Sequence, residues 1–137
     1  MRRSILPLLL GCLCLVAASL ALGQTLMIRS DVWPDPGPAQ SGFCKRNQVN
    51  LVVTVRSVGP AQAPLAPFYV KVEFTPGGAF EKQVERLVPG STADVQFAIP
   101  PGCFNPDCKF KITVDSKNSV RESDERNNVA EGRCPRS

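Results

Sequence analysis

The sequence predicts an all-β domain in which about seven short antiparallel strands form two sheets packed face to face. Three observations carry this. Apolar residues recur at every second position in four separate runs, turn-forming residues punctuate the intervals, and no segment of helical length shows an apolar stripe with a 3.6-residue period. A strand with one dry and one wet face can bury the dry one only against a second layer, so runs of this kind close into a sandwich.

Ahead of the domain, residues 1–23 read as an export signal. Arg2 and Arg3 form the basic start, Ile5 to Leu22 the apolar stretch, and Ala21-Leu22-Gly23 a small-residue cleavage site before Gln24. Two other readings compete with cleavage. The apolar stretch is at the short end of membrane-spanning length and would serve as a retained anchor. Leu9-Leu10-Gly11-Cys12 resembles a lipoprotein processing site, although the apolar core ahead of Cys12 is only about six residues, below the usual length. All three readings place the domain, residues 24–137, outside the cytoplasm: in the periplasm, on the cell surface or in the medium.

The first strand is expected over Thr25 to Val32. The segment from Trp33 to Asn47, with three prolines and two glycines, is expected to be a long loop. In the second strand Val49, Leu51, Val53 and Val55 share one face, and Asn50, Thr54 and Arg56 the other. The third sets Phe68, Val70, Val72 and Phe74 against Tyr69, Lys71 and Glu73. A weaker fourth strand is expected around Gln83 to Leu87. In the fifth Ala93, Val95, Phe97 and Ile99 alternate with polar positions, and in the sixth Phe110, Ile112 and Val114 do the same. The seventh, again weaker, covers Asn127 to Arg133. The separators are Gly59-Pro60, Pro76-Gly77-Gly78, Pro89-Gly90, Pro100-Pro101-Gly102 and Asn118-Ser119.

Composition narrows the function. Hydrophobic residues make up 43% and charged residues 20%, the balance of one folded core. Without the signal's Arg2 and Arg3, 14 basic residues face 12 acidic ones, a net charge of +2. The two signs interleave from Lys109 to Arg126, so the basic footprint needed for nucleic acid is missing. There is no histidine, which removes Ser-His-Asp and Cys-His chemistry together. Only carboxylates such as Glu122 and Asp124 would be left to an enzyme, in a wet loop of mixed charge, so the chain is not expected to be one.

Cys12 and Cys14 would leave with the signal, and four cysteines remain: Cys44, Cys103, Cys108 and Cys134. An even number in an oxidising compartment implies two disulfides. A zinc site is the alternative, but 58, 4 and 25 intervening residues do not give two close pairs.

With a strand ending Thr54-Val55-Arg56-Ser57-Val58-Gly59 and a later stretch Val120-Arg121-Glu122-Ser123-Asp124-Glu125-Arg126-Asn127-Asn128, the chain from Leu51 to Asn128 resembles a known family, the cell-adhesion-related domain of bacteria, CARDB. The resemblance begins in the strand ending Thr54-Val55-Arg56-Ser57-Val58-Gly59, followed by Ala61 and Ala63. It continues through Phe68 to Phe74 and Leu87-Val88-Pro89-Gly90-Ser91. Its most specific part is Ile112-Thr113-Val114-Asp115 leading to Val120-Arg121-Glu122-Ser123-Asp124-Glu125-Arg126-Asn127-Asn128. The chain departs from the family pattern in having Ser57 for an asparagine, and Cys103 to Cys108 in place of a simple glycine turn. The resemblance implies an immunoglobulin-like β-sandwich, here disulfide-braced, used as an extracellular module for binding or spacing.

Alternating strand directions in such a sandwich bring all four cysteines to one end. Cys103 with Cys108 and Cys44 with Cys134 are the favoured pairs, but three pairings exist and shared location excludes none. The long link would constrain the unfolded chain by about 4 to 5 kcal/mol and the short one by about 2. A redox role for Cys103 and Cys108 is the functional alternative, without a thioredoxin-like pattern to support it.

The opposite end gathers Ser57 to Pro67, the Pro89-Gly90 turn and the loop Asp115 to Asn127, where a partner is expected. Asp115, Asn118, Glu122, Asp124 and Glu125, with Asn127 and Asn128 beside them, are oxygen donors suited to calcium. Lys117, Ser119, Arg121 and Arg126 break any EF-hand pattern, and the bases weaken cation affinity. The stronger reading makes Glu122, Asn127 and Asn128 turn-stabilising, bonded to backbone groups that lack ladder partners. No cofactor other than calcium is suggested. Trp33 is expected to cover core or sheet edge in preference to stacking on a sugar. The function expected is a secreted or cell-surface, non-catalytic binding or adhesion module. The runner-up is a spacer or assembly subunit of an envelope complex; a small inhibitor or an enzyme comes last. The partner would be an extracellular or cell-surface protein or glycan, with membrane contact only through an uncleaved or lipidated N-terminus.

Overall fold

A computed structural model describes residues 31–36, 43–60 and 65–136. The expected signal at 1–23 and most of the expected first strand lie outside these residues. Among the described residues eight strands follow one another: β1 (Asp31–Asp35), β2 (Arg46–Asn47), β3 (Asn50–Val58), β4 (Phe68–Thr75), β5 (Gly78–Val84), β6 (Thr92–Ala98), β7 (Cys108–Val114) and β8 (Val129–Cys134). All pair antiparallel, in two sheets. In the first, β1 and β2 lie along one side of β3 and β6 along the other; the second runs β5-β4-β7-β8.

Registers follow the alternation. Leu51 faces Phe97 and Val53 faces Val95 across β3 and β6, while Val72 faces Ile112 and Phe74 faces Phe110 across β4 and β7. These residues, with Val32, Val55, Phe68, Val70 and Val114, form the dry layer between the sheets. The Phe74 and Phe110 rings meet edge to face with centroids 6.3 Å apart, the arrangement that ring quadrupoles favour. Leu87 and Val120, both buried and both outside strands, close the layer from the connecting loops.

Four expectations are corrected. β1 runs past Val32 through Trp33-Pro34-Asp35, pairing Trp33 with Arg56 and Pro34 with Val55. Proline is tolerated because β1 is an edge strand and the missing N–H costs no ladder bond. Both ends of the expected long loop are therefore strand, since Arg46 and Asn47 also pair, with Leu51 and Asn50. Val49 is not inward: it sits in the β2–β3 turn after Gln48, which has φ 54°, and is 67% exposed. The fourth strand falls at Gly78–Val84 and not at Gln83 to Leu87, because the chain reverses at Pro76-Gly77 and returns at once along β4. Gly77 has φ +143°, and a Cβ there would come within 2.7 Å of Pro100 Cγ, so this position excludes a side chain twice over.

Candidate functional site

The loop from Asp115 to Asn128 joins β7 to β8, and four of its carboxylates accept backbone hydrogen bonds. Asp115 ends β7 in a left-handed conformation (φ 48°) and is 2% exposed. Its Oδ1 accepts from the Ser119 amide and its Oδ2 from the Val120 amide, both at 2.8 Å. That pair of bonds turns the chain so that Val120 enters the core. Asn118 is also left-handed (φ 50°) and exposed, and its amide donates to the Asp115 carbonyl.

Glu122 is 3% exposed and bridges two distant parts of the chain. Its Oε2 accepts from the Val32 amide on β1 at 2.8 Å, and its Oε1 from Asn128 Nδ2 at 2.7 Å. Burial pushes its carboxyl up to about 7; those two bonds pull the other way, and the nearby charges of Glu125 and Asp115 add to the rise. Glu125 accepts from the Glu122 amide at 3.2 Å. Asn127 Nδ2 donates to Asp31 Oδ2 at 2.8 Å, a second tie between this loop and β1. Asp124 accepts from the amide and the guanidinium of Arg126, and those hydrogen bonds hold its carboxyl below the usual carboxylate range.

The donor set suited to calcium is thus distributed. Asp115, Glu122 and Glu125 hold backbone amides, Asp124 holds Arg126, and Asn118 lies exposed. Among the described residues, no three His, Cys, Asp or Glu side chains come together as a group able to hold a metal ion. The side chains of Glu122, Asn127 and Asn128 share a hydrogen-bond network with Asp31 and Val32 of β1. Asp31 and the Val32 amide were missed by sequence reasoning. They belong to the same network, but within a strand they carry no pattern that points to a loop about 90 residues away.

At the opposite end the cysteines form two bonds, Cys44–Cys134 and Cys103–Cys108. The first joins the segment entering β2 to the end of β8, hence one sheet to the other. The second closes the turn between Pro101–Cys103 and β7. Cys103, Cys108 and Cys134 are fully buried, and Cys44 is half-buried. Trp33, half-buried on the edge strand β1, lies beside Arg56, whose Nε donates to Asp35 at 2.7 Å.

A groove of about 710 Å³ crosses the outer face of β4, β7 and β8, lined by Glu73, Thr75, Lys109, Lys111, Glu131 and Arg133. It lies on a sheet face, away from the loop end where a partner was expected. The register explains its polarity: Glu73, Lys111 and Glu131 occupy one row across the three strands, and Thr75, Lys109 and Arg133 the next.

The two antiparallel layers, with a core of alternate inward side chains and two disulfides at one end, define an immunoglobulin-like β-sandwich. The CARDB family profile matches residues 37–132, and the chain belongs to that family. The crystal structure of the CARDB domain of the PF1109 protein from Pyrococcus furiosus, in complex with di-metal ions, is similar in fold. It is 24% identical, with a TM-score of 0.55, and the match covers 80% of this chain and 93% of that one. The solution structure of the same domain is 21% identical with a TM-score of 0.45, over the same shares. No curated protein matches the chain in sequence.

Proposed function

We propose that the domain works outside the cytoplasm as a non-catalytic binding module that holds a protein or glycan partner against the outer face of β4, β7 and β8. The observation that carries this reading is the groove there, whose rows of opposite charge, Glu73-Lys111-Glu131 and Thr75-Lys109-Arg133, present hydrogen-bonding groups on a rigid sheet. Two cystines, and no helix among the described residues long and apolar enough to cross a membrane, are compatible with an extracytoplasmic setting. The chain has no histidine, and the one carboxyl that burial raises, Glu122, is occupied in tying β1 to the last loop; neither favours catalysis.

The test is capture from cell-surface extracts by the immobilised domain, repeated with Lys111→Glu/Arg133→Glu and with a control change on the far edge, Gln83→Glu. A specific protein or glycan should be retained by the native domain and the control and lost by the double variant. Equal retention by all three, or none above background, counts against the reading. Calcium is a separate question. Each carboxylate proposed to hold it already accepts a backbone or arginine hydrogen bond, so added calcium is expected to leave the melting temperature unchanged relative to chelator. A rise of several degrees at millimolar calcium would assign the ion a site.

A further inference from the structure

The cystine end holds four sulfurs of unequal access, two of which face each other without being bonded. Cys108 and Cys134 are directly opposed partners on β7 and β8, and both are fully buried on the inner face. Opposed residues of an antiparallel pair have Cα atoms about 4.5–5.5 Å apart, inside the span of about 4.4–6.8 Å that a disulfide bridges. Each is instead bonded outward, Cys134 to Cys44 and Cys108 to Cys103. Cys44 is the most accessible residue of the four, half-buried while the other three are fully covered.

We propose that the cystines form a thiol-triggered relay, in which attack on Cys44 moves the covalent tie between the two sheets to a tie within the β7–β8 ladder. A monothiol such as glutathione, as thiolate, attacks Cys44 Sγ; the Cys44–Cys134 bond breaks, a mixed disulfide forms on Cys44, and Cys134 leaves as thiolate. Cys134 Sγ then attacks Cys108 Sγ across the ladder. The Cys108–Cys134 bond forms, the Cys103–Cys108 bond breaks, and Cys103 leaves as thiolate to take up a proton. Two disulfides exist before and after, with one external thiol consumed and one protein thiol released. The segment entering β2 is thereby uncoupled from β8, while β8 stays fastened to the sheet that carries the groove.

The test is native protein exposed to limiting glutathione at pH 8, quenched in acid, labelled with a maleimide and mapped by fragment-ion mass spectrometry. The expected product carries glutathione on Cys44, maleimide on Cys103 and a Cys108–Cys134 link, in at least about a tenth of the singly modified molecules. A smaller share, with maleimide on Cys134 and Cys103–Cys108 intact, overturns the relay. So does first attack on Cys103 or Cys108, or no uptake by native protein that takes up glutathione readily in guanidinium chloride. A Cys44→Ser variant, checked for native circular dichroism, isolates the second step: Cys108–Cys134 should form with Cys103 free. If that variant does not fold, the native protein decides alone.

Discussion

Glu122 shows how one side chain can set the pH response of the molecule. Its two acceptor bonds reach Val32 on β1 and Asn128 before β8, and burial raises its carboxyl from the ordinary 4.5 to about 7. The folded state therefore holds the proton more tightly than the unfolded chain. The resulting stability is complete below pH 4.5 and is lost as the pH rises through about 7. The full span corresponds to about 3 kcal/mol at this one group, and thermal unfolding followed at pH 5.5 and pH 8 should show a higher midpoint at the lower pH. Glu122→Gln keeps the size, removes the titration and should flatten that slope. An unchanged slope would mean that another group sets it. Asp115 acts locally, on two amides of its own loop. Asp115→Ala leaves both without their partner beside the buried Val120, and should lower stability by about 1 to 3 kcal/mol in a urea titration.

At the scale of elements, alternation made β3, β4, β6 and β7 legible because each carries three or four apolar residues on the inward face and polar ones outside. The rest was less legible for identifiable reasons. β5 is exposed along nearly its whole length, with only Val84 buried, so it leaves no apolar alternation, and its place is dictated by the turn at Gly77. Val49 fits the period of β3 but belongs to the turn before it, and periodicity cannot mark where a strand stops. Of the candidate site, the acidic and amide residues were visible as a cluster, but their individual partners were not: Glu122 accepts from the Val32 amide, while Asn127 and Asn128 donate to the side chains of Asp31 and Glu122. Asp31 was invisible, because a lone acid at the start of an edge strand carries no pattern of its own. The β4–β5 hairpin offers a direct test. Gly77→Ala must accommodate a Cβ 2.7 Å from Pro100 Cγ at a backbone angle that side chains rarely adopt, and should cost about 1 to 3 kcal/mol. Gly102→Ala meets no atom within 4 Å and has no positive φ, so its denaturation midpoint should stay near that of the native protein.

For the molecule as a whole, the two sheets are held by the apolar layer between them, by the ties from the last loop to β1 at one end, and by Cys44–Cys134 at the other. The two cystines do not contribute alike. Cys44 and Cys134 are 90 residues apart in sequence, and Cys103 and Cys108 are 5 apart. Closing a loop restricts the unfolded chain more as the loop grows, so the long link should stabilise by about 4 to 5 kcal/mol and the short one by about 2. Replacing each pair by serines, with unfolding followed in urea, should give a larger loss for Cys44→Ser/Cys134→Ser. The size of the gap is informative in itself. Cys134 also fills the core beside Cys108, so serine there loses apolar burial as well as the cross-link. Unfolding the reduced protein with its thiols left free separates the two effects, because it removes the cross-link and keeps the buried sulfurs in the core. Equal losses for the two serine pairs would show that packing around the sulfurs, and not restriction of the unfolded chain, is what the cystines contribute.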